Sequence, residues 1–254
     1  MLSMAEVEER LDIWGNVFHF WELDEHGHQI LWNLNIGGMH FEFIPKVMVM
    51  TWLTMILVAL FAIVATRNMD MRRPRGVQNV FEMMFEGIRN LVNQNMDPQK
   101  GAGIIGVVIT FFIFILFSNI LGLVPTLSSP TANPNTTFAL SLTTFALMYY
   151  YGLKYKGAGY FKHFVTPYVF FLPINLIEEF SKPVTLAFRL YGNIYGGEVM
   201  LIVLLGLFGM WADLLGGFIA SVVWLAFSIF VGCIQAFIFT MLSIVYISIA
   251  TADH

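Results

Sequence analysis

Two long runs without a charged residue constrain the fold of this 254-residue chain more than any other feature. One run covers residues 101–153 and the other covers residues 214–251. As one helix, the 38 residues of the second run would be about 57 Å long, whereas the hydrocarbon core of a bilayer is about 30 Å thick. The whole chain is 57% hydrophobic and only 12% charged, which is outside the range of water-soluble domains. The sequence therefore predicts an integral membrane protein.

Turn-forming residues divide the apolar part of the chain into five predicted membrane-embedded helices. These cover residues 47–66, 104–124, 137–153, 167–209 and 214–250. The last two are long enough to require a steep tilt or an interfacial portion. Residues 76–96 have apolar side chains at helical spacing, which predicts an amphipathic helix at the membrane interface. We therefore expect an all-α polytopic fold in a single transmembrane domain, residues 44–254.

Basic loops indicate how the chain is oriented. Arginines follow the first predicted span within residues 67–75, and lysines follow the third within residues 154–162. Because basic loops stay in the cytoplasm, we expect residues 1–43 to be extracytoplasmic and the C-terminus to be cytoplasmic. An arginine cluster beside a span is a poor nucleic-acid site, so no nucleic-acid partner is expected. His26 and His28 allow a metal site, but without further ligands a solvated segment is the better interpretation, and we expect neither metal nor cofactor.

The segment between Asn175 and Met200 concentrates charge within the apolar part of the chain. Its ionisable residues are Glu178, Glu179, Lys182, Arg189 and Glu198. A charge at bilayer depth costs roughly 2.5–3.5 kcal/mol, which indicates a functional use. At about 100° per residue, one helix stripe contains Glu178, Lys182, Thr185, Arg189, Gly192, Asn193 and Gly196. Glu198 lies on the opposite face from Arg189.

Arg189 allows a structural and a functional interpretation. In the structural one, it forms an ion pair with Glu178 or Glu179 that holds the fold together. Lys182, however, lies three to four residues from those carboxylates and is the better partner for one of them. Because an arginine in a protein does not lose its proton, Arg189 is expected to be a permanent positive charge with a functional role.

Three runs resemble subunit a of F-type ATP synthases. They are SKPVTLAFRLYGNIYGGE at residues 181–198, QAFIFTMLSIVYISIA at residues 235–250, and SNILGLVP at residues 118–125. The resemblance extends from about residue 47 to the C-terminus. It implies a bacterial-type stator subunit of the membrane sector, located in the plasma membrane, that transports protons or sodium ions and has no nucleotide chemistry of its own.

The resemblance also implies partners and residue roles. The expected partners are a ring of c subunits, the b subunits of the peripheral stalk, and membrane lipid. Arg189 would meet a carboxylate on each ring subunit, lower its pKa, and block ion leak between two half-channels. The implied ion path consists of Glu198, Gln235, Asn193, Ser228 and Asn119. The supporting polar residues are Glu178, Glu179, Lys182 and Tyr246.

Several of these roles have alternatives. Glu198 could pair with a cation of a neighbouring subunit, and Asn193 could bond a ring carboxylate or orient Arg189. Serines and Gln235 on the last helix could serve as interhelical packing groups. Many relatives have a histidine or carboxylate where this chain has Ser228, so water held by Ser228 and Gln235 is expected in its place.

Two other classes of function fit buried charges. A secondary transporter also lines its substrate path with intramembrane charges, but this chain has no evident inverted repeat. A passive scaffold would use the charges only as structural pairs. An Arg189→Ala variant separates both alternatives from the rotary interpretation.

Overall fold

The computed structural model describes residues 32–36, 39–67, 76–124, 127–161, 164, 168–207 and 218–252. Helices dominate this part of the chain, as predicted. They are α1 (Pro45–Thr66), α2 (Val77–Asn95), α3 (Pro98–Gly101), α4 (Ile105–Leu121), α5 (Pro134–Lys156), α6 (Leu172–Leu207) and α7 (Phe218–Thr251). Short 3₁₀ turns lie at Pro130–Ala132, Gly157–Phe161 and Val169–Phe171.

A two-stranded hairpin is the exception to the predicted all-α fold. Strand β1 (Trp32–Ile36) pairs antiparallel with β2 (Met39–Phe43), with Trp32 opposite Phe43. Its sequence alternates apolar and polar residues with the period of a strand, and two glycines separate the strands. Our expectation for residues 1–43 was an extracytoplasmic segment, and it did not include these two strands. His26 and His28 lie outside the described residues.

A helix stands at each of the five positions where a span was predicted. Two of them, Pro45–Thr66 and residues 222–251 of α7, are long and apolar enough to cross a membrane. Only 11% of the apolar window of α1 is buried within the chain, and side chains such as Trp52 and Val64 are about 60% exposed. Such a surface suits contact with lipid.

The two long helices α6 and α7 contain 36 and 34 residues. At about 1.5 Å per residue they extend over roughly 50 Å. Pro183 lies inside α6 without ending it. The predicted break between the two helices falls mostly on residues 208–217, outside the described residues.

Helix α7 is the common packing partner of α4, α5 and α6. Two apolar clusters fill the space between these helices. One joins α2, α4, α5 and α7 around Val92, Ile104, Met148 and Ile247. The other joins α4, α6 and α7 around Ile115, Leu190 and Phe239. The polar segment of α6 is therefore positioned by apolar packing against α4 and α7.

The amphipathic helix α2 was predicted from its apolar spacing. It buries Ile88 and Val92 and leaves residues such as Arg89 exposed. It also approaches the end of α7, where Ser248 donates a hydrogen bond to the carbonyl of Asn95. Just beyond it, the Lys100 ammonium donates to the carbonyl of Thr251 at 3.1 Å. A cation on the last carbonyls of a helix stabilises that end.

Gly152 on α5 provides a test of this packing. A Cβ atom at position 152 would lie 2.8 Å from Cε2 of Tyr160, whose ring is buried. We expect Gly152→Ala to destabilise the fold by about 1–3 kcal/mol, because the ring has no room to retreat. Gly106→Ala is the matched control, since no atom lies within 4 Å of a Cβ there. Thermal unfolding of the purified variants measures both; equal melting temperatures would contradict the packing described.

Candidate functional site

Arg189 lies on α6, half-buried, between the second apolar cluster and the surface. Its neighbours Leu186 and Leu190 are fully buried against α4 and α7. Within the part of the chain that the structure describes, no ion pair or hydrogen bond involves Arg189. The ion pair with Glu178 or Glu179 that the structural interpretation of Arg189 requires is therefore not formed, and the positive charge has no counterion among the described residues.

The glycines on the stripe of Arg189 have open space beside them. A Cβ at Gly192 or Gly196 would meet no atom within 4 Å, and the same holds for Gly197. These residues therefore leave room for close approach by another helix. The guanidinium of Arg189 and this small-residue surface share one side of α6 by helical periodicity.

Lys182 forms an ion pair with Glu179, one of the two carboxylates considered as partners of Arg189. Its ammonium lies 2.6 Å from Oε2 of Glu179, which is 2% exposed, whereas Glu178 is exposed. The Tyr160 hydroxyl donates to Oε1 of Glu179 at 3.4 Å. Burial, together with the charge of Glu179, raises the pKa of Tyr160, so the hydroxyl keeps its proton and remains a donor.

Tyr246 on α7 lies against the same cation. The Lys182 ammonium is 6.0 Å from the centroid of the Tyr246 ring, within the range of a cation–π contact. Both residues line a cavity of about 10 Å³ together with Ser141 and Thr144. This volume suits roughly one water molecule. The predicted supporting residues Glu179, Lys182 and Tyr246 thus form one group, and Glu178 is not part of it.

A direct hydrogen bond joins α6 and α7 four residues beyond Arg189. The side-chain nitrogen of Asn193 donates to Oε1 of Gln235 at 2.6 Å. Gln235 is 1% exposed, and its own Nε2 has no hydrogen-bond partner among the described residues. Asn193 is exposed. The structure therefore brings together two of the predicted ion-path residues.

Asn119 lies on α4 and is 5% exposed. Its Nδ2 donates to the backbone carbonyl of Gly232 on α7 at 2.9 Å. Its Oδ1 accepts from the Thr131 hydroxyl at 3.2 Å. Both ends of the amide are thus bonded within the chain.

Ser228 is not joined to the other predicted residues by any bond between described residues. Ser228 is half-buried on α7 without a hydrogen bond to a described residue. Glu198 lies on α6, and its side chain is outside the described set. Trp224, which the sequence reasoning did not single out, donates from Nε1 to the carbonyl of Gly197 at 3.0 Å. It links α7 to the turn of α6 that precedes Glu198.

Tyr160, Thr131 and Gly232 were also missed as members of these groups. Their partners are 19, 12 and 113 residues away along the chain, so helical spacing gives no signal for them. No group of three potential metal ligands occurs among the described residues.

Apolar helices that hold a polar, charged seam between two long members define this chain as an integral membrane protein. The sequence profile of the ATP synthase A chain family matches residues 48–248, and the chain belongs to that family. It is a membrane-sector subunit of an ATP synthase and takes part in ATP synthesis through ion transport.

Three similar curated proteins are each named ATP synthase subunit a. ATP synthase subunit a of Desulforamulus reducens is 48% identical and covers all of this chain and 94% of its own length. The subunit a of Macrococcus caseolyticus is 41% identical, over 89% of this chain and 99% of its own. That of Listeria monocytogenes is 38% identical, over 87% and 97%.

The ion pair at Glu179 predicts different effects for two adjacent carboxylates. Glu179→Gln should destabilise the fold by about 2 kcal/mol, below the range for a fully buried pair because the Lys182 side chain is 19% exposed. Glu178→Gln should leave stability unchanged, since Glu178 is exposed. Thermal unfolding in detergent compares them.

Lys182→Gln provides the second arm of a double-mutant cycle. If Glu179 and Lys182 stabilise each other, the double variant should lose less stability than the two single variants added together. Strict additivity would show that the pair contributes nothing.

Proposed function

We propose that this chain carries protons, or sodium ions, between two aqueous half-channels, with Arg189 as the barrier between them and the contact for carboxylates of a c-subunit ring. The observation that carries the proposal is the half-buried Arg189 without a counterion in the described chain. An uncompensated charge in an apolar bundle is costly, so a partner of opposite charge is required. A ring carboxylate that has lost its ion is such a partner.

The surroundings of Arg189 support an external rather than an internal partner. Glu179, the buried carboxylate of the same helix, already pairs with Lys182. The open glycine positions on the arginine side of α6 allow another helix to come close. Arginine suits this role because its charge persists at every working pH, which keeps a ring carboxylate in contact with it ionised.

The proposed path for the ion follows the seam between α6 and α7. The Asn193–Gln235 bond lies on this seam, and the buried Nε2 of Gln235, which bonds to no described residue, is the proposed donor to a water on the path. Glu198 is the proposed relay carboxylate, with Ser228 holding water in place of a titratable partner. Asn119 borders this region through its bond to α7.

The rest of the proposal concerns assembly and orientation. The chain lies in a bacterial plasma membrane with its N-terminus outside and its C-terminus in the cytoplasm, in contact with lipid and with b subunits of the peripheral stalk. The exposed apolar side chains of α1 suit lipid or a partner helix. The basic residues after α1 and at the end of α5 support the orientation. Nucleotide chemistry belongs to other subunits of the complex.

Arg189→Ala tests the barrier directly. In vesicles that contain the assembled membrane sector with the ring locked against rotation, we expect a passive ion leak that the native chain does not show. The rate should rise about tenfold for each 1.4 kcal/mol of barrier that the missing charge had provided. Arg89→Ala is the control, because Arg89 is exposed on α2. Equally tight vesicles for both variants would remove the barrier role and restore the transporter and scaffold interpretations.

Glu198→Gln tests the relay while preserving the shape of the side chain. We expect ion-driven ATP synthesis to slow by roughly 100-fold, the lower range for losing a group that passes a proton. The pH dependence should also change, because a titrating group is removed. Glu86→Gln on α2 is the control for loss of an exposed carboxylate. Unchanged rates from acidic to alkaline pH would count against Glu198 as the relay.

A further inference from the structure

A buried group of polar residues connects three parts of the fold at one end of α4. We call it the Asn119 cluster; it consists of Asn119, Ser129, Thr131 and the backbone of Gly232. The three side chains are at most 5% exposed. The cluster joins α4, the 3₁₀ turn Pro130–Ala132, and the middle of α7.

The bond from Asn119 to Gly232 depends on the absence of a side chain at position 232. A Cβ there would lie 3.1 Å from Cβ of Asn119, closer than most such contacts. Glycine therefore lets α4 and α7 approach until Nδ2 of Asn119 reaches the carbonyl oxygen at 2.9 Å. Because this carbonyl belongs to the helix backbone, the bond fixes where α7 stands along and around α4.

The other side of the Asn119 amide is held by the turn before α5. The Thr131 hydroxyl donates to Oδ1 of Asn119, and the hydroxyls of Ser129 and Thr131 are 2.7 Å apart. Ser129 in turn lies against Gly122, where a Cβ would come 2.6 Å from Cβ of Ser129. With both ends bonded, the amide has a fixed orientation and cannot turn to follow a passing ion.

Gln235 follows Gly232 by three residues, less than one helical turn. The position of the Gln235 side chain is therefore set by the same part of α7 that Asn119 holds. Gln235 then accepts the bond from Asn193 on α6, four residues beyond Arg189. A continuous series of contacts thus runs from the turn at Thr131 through Asn119 and α7 to the helix of Arg189.

We propose that Asn119 is a positioning residue, which holds α7 so that Gln235 meets Asn193 beside Arg189, rather than a group that contacts the ion. The expected effect of Asn119 on ion transport rests on the proposed function. The expected effect of Asn119 on the position of α7 does not. The positioning role replaces the ion-path role that the resemblance implied for Asn119. Two measurements test the two parts separately.

The geometric test measures how closely positions 193 and 235 approach each other, through the rate at which cysteines there form a disulfide. Cysteines replace Asn193 and Gln235 in a chain with Cys233→Ala, and the rate of disulfide formation is measured in membranes that contain the assembled complex. Adding Asn119→Leu should slow cross-linking about tenfold, the scale of one buried hydrogen bond. Ser118→Ala is the matched control, because Ser118 is the adjacent, fully buried residue and its hydroxyl has no described partner. An unchanged rate with Asn119→Leu would overturn the positioning role.

The functional test uses chains with native Asn193 and Gln235. Gly232→Ala adds only a methyl group, but its Cβ would lie 3.1 Å from Cβ of Asn119, so the Asn119 side chain must shift by a few tenths of an ångström from its place beside the Gly232 carbonyl. We expect this variant to reduce ion-driven ATP synthesis in the same direction as Asn119→Leu does. Because both variants disrupt one contact, the double variant should be little worse than either single one. Full activity of Gly232→Ala beside a strong loss in Asn119→Leu would mean that the amide itself serves the ion, and would overturn the proposal.

The two tests also distinguish this inference from the proposed function. If Arg189→Ala opens no leak while Asn119→Leu still slows cross-linking, the rotary proposal fails and the positioning role stands. If Arg189→Ala opens a leak and cross-linking does not change, the positioning role fails alone.

Discussion

Polar side chains within a membrane bundle need hydrogen-bond partners inside the protein, because the hydrocarbon core of the bilayer supplies none. Most serines and threonines in the helices donate to a carbonyl of the preceding turn, as Thr54, Thr240 and Ser243 do. This bond satisfies the hydroxyl without requiring a second helix. Polar groups that bond between helices are fewer, and α7 takes part in those described: it is joined to α4, α5 and α6, and near its end to α2 and α3. Helix α7 is therefore both the centre of the apolar packing and the carrier of the interhelical polar contacts.

Two cations on one stripe of α6, Lys182 and Arg189, have different surroundings. Lys182 has a buried carboxylate at 2.6 Å and an aromatic ring beside it. Arg189, two turns further along, has neither among the described residues. A lysine that lost its partner could give up its proton, whereas an arginine retains its charge. Among the described residues, the lysine, whose charge could be lost, thus has a counterion, and the arginine, whose charge persists, has none.

The fold was largely predictable because long apolar runs and turn-forming residues leave few alternatives to helices. Which of two carboxylates pairs with Lys182 was not predictable from the sequence. Glu178 and Glu179 stand four and three residues before Lys182, and on an isolated helix either spacing allows the ion pair. The tertiary structure decides for Glu179, because α6 turns it inward where Tyr160 also donates to it. The partner of Asn119 was equally hidden, since Gly232 is 113 residues away and offers only a backbone carbonyl.

Glycine serves two opposite purposes in the two long helices, and the difference bears on function. At Gly232, Asn119 occupies the space that a side chain would fill, and its amide donates a hydrogen bond to the Gly232 carbonyl. At Gly192 and Gly196 no described residue fills the space. Since an apolar bundle gains from close packing, small residues that face no neighbour favour contact with a helix from outside the chain. A surface that combines these small residues with an arginine that has no described counterion favours a partner that packs closely and is negatively charged. A ring of carboxylate-bearing helices would supply both properties.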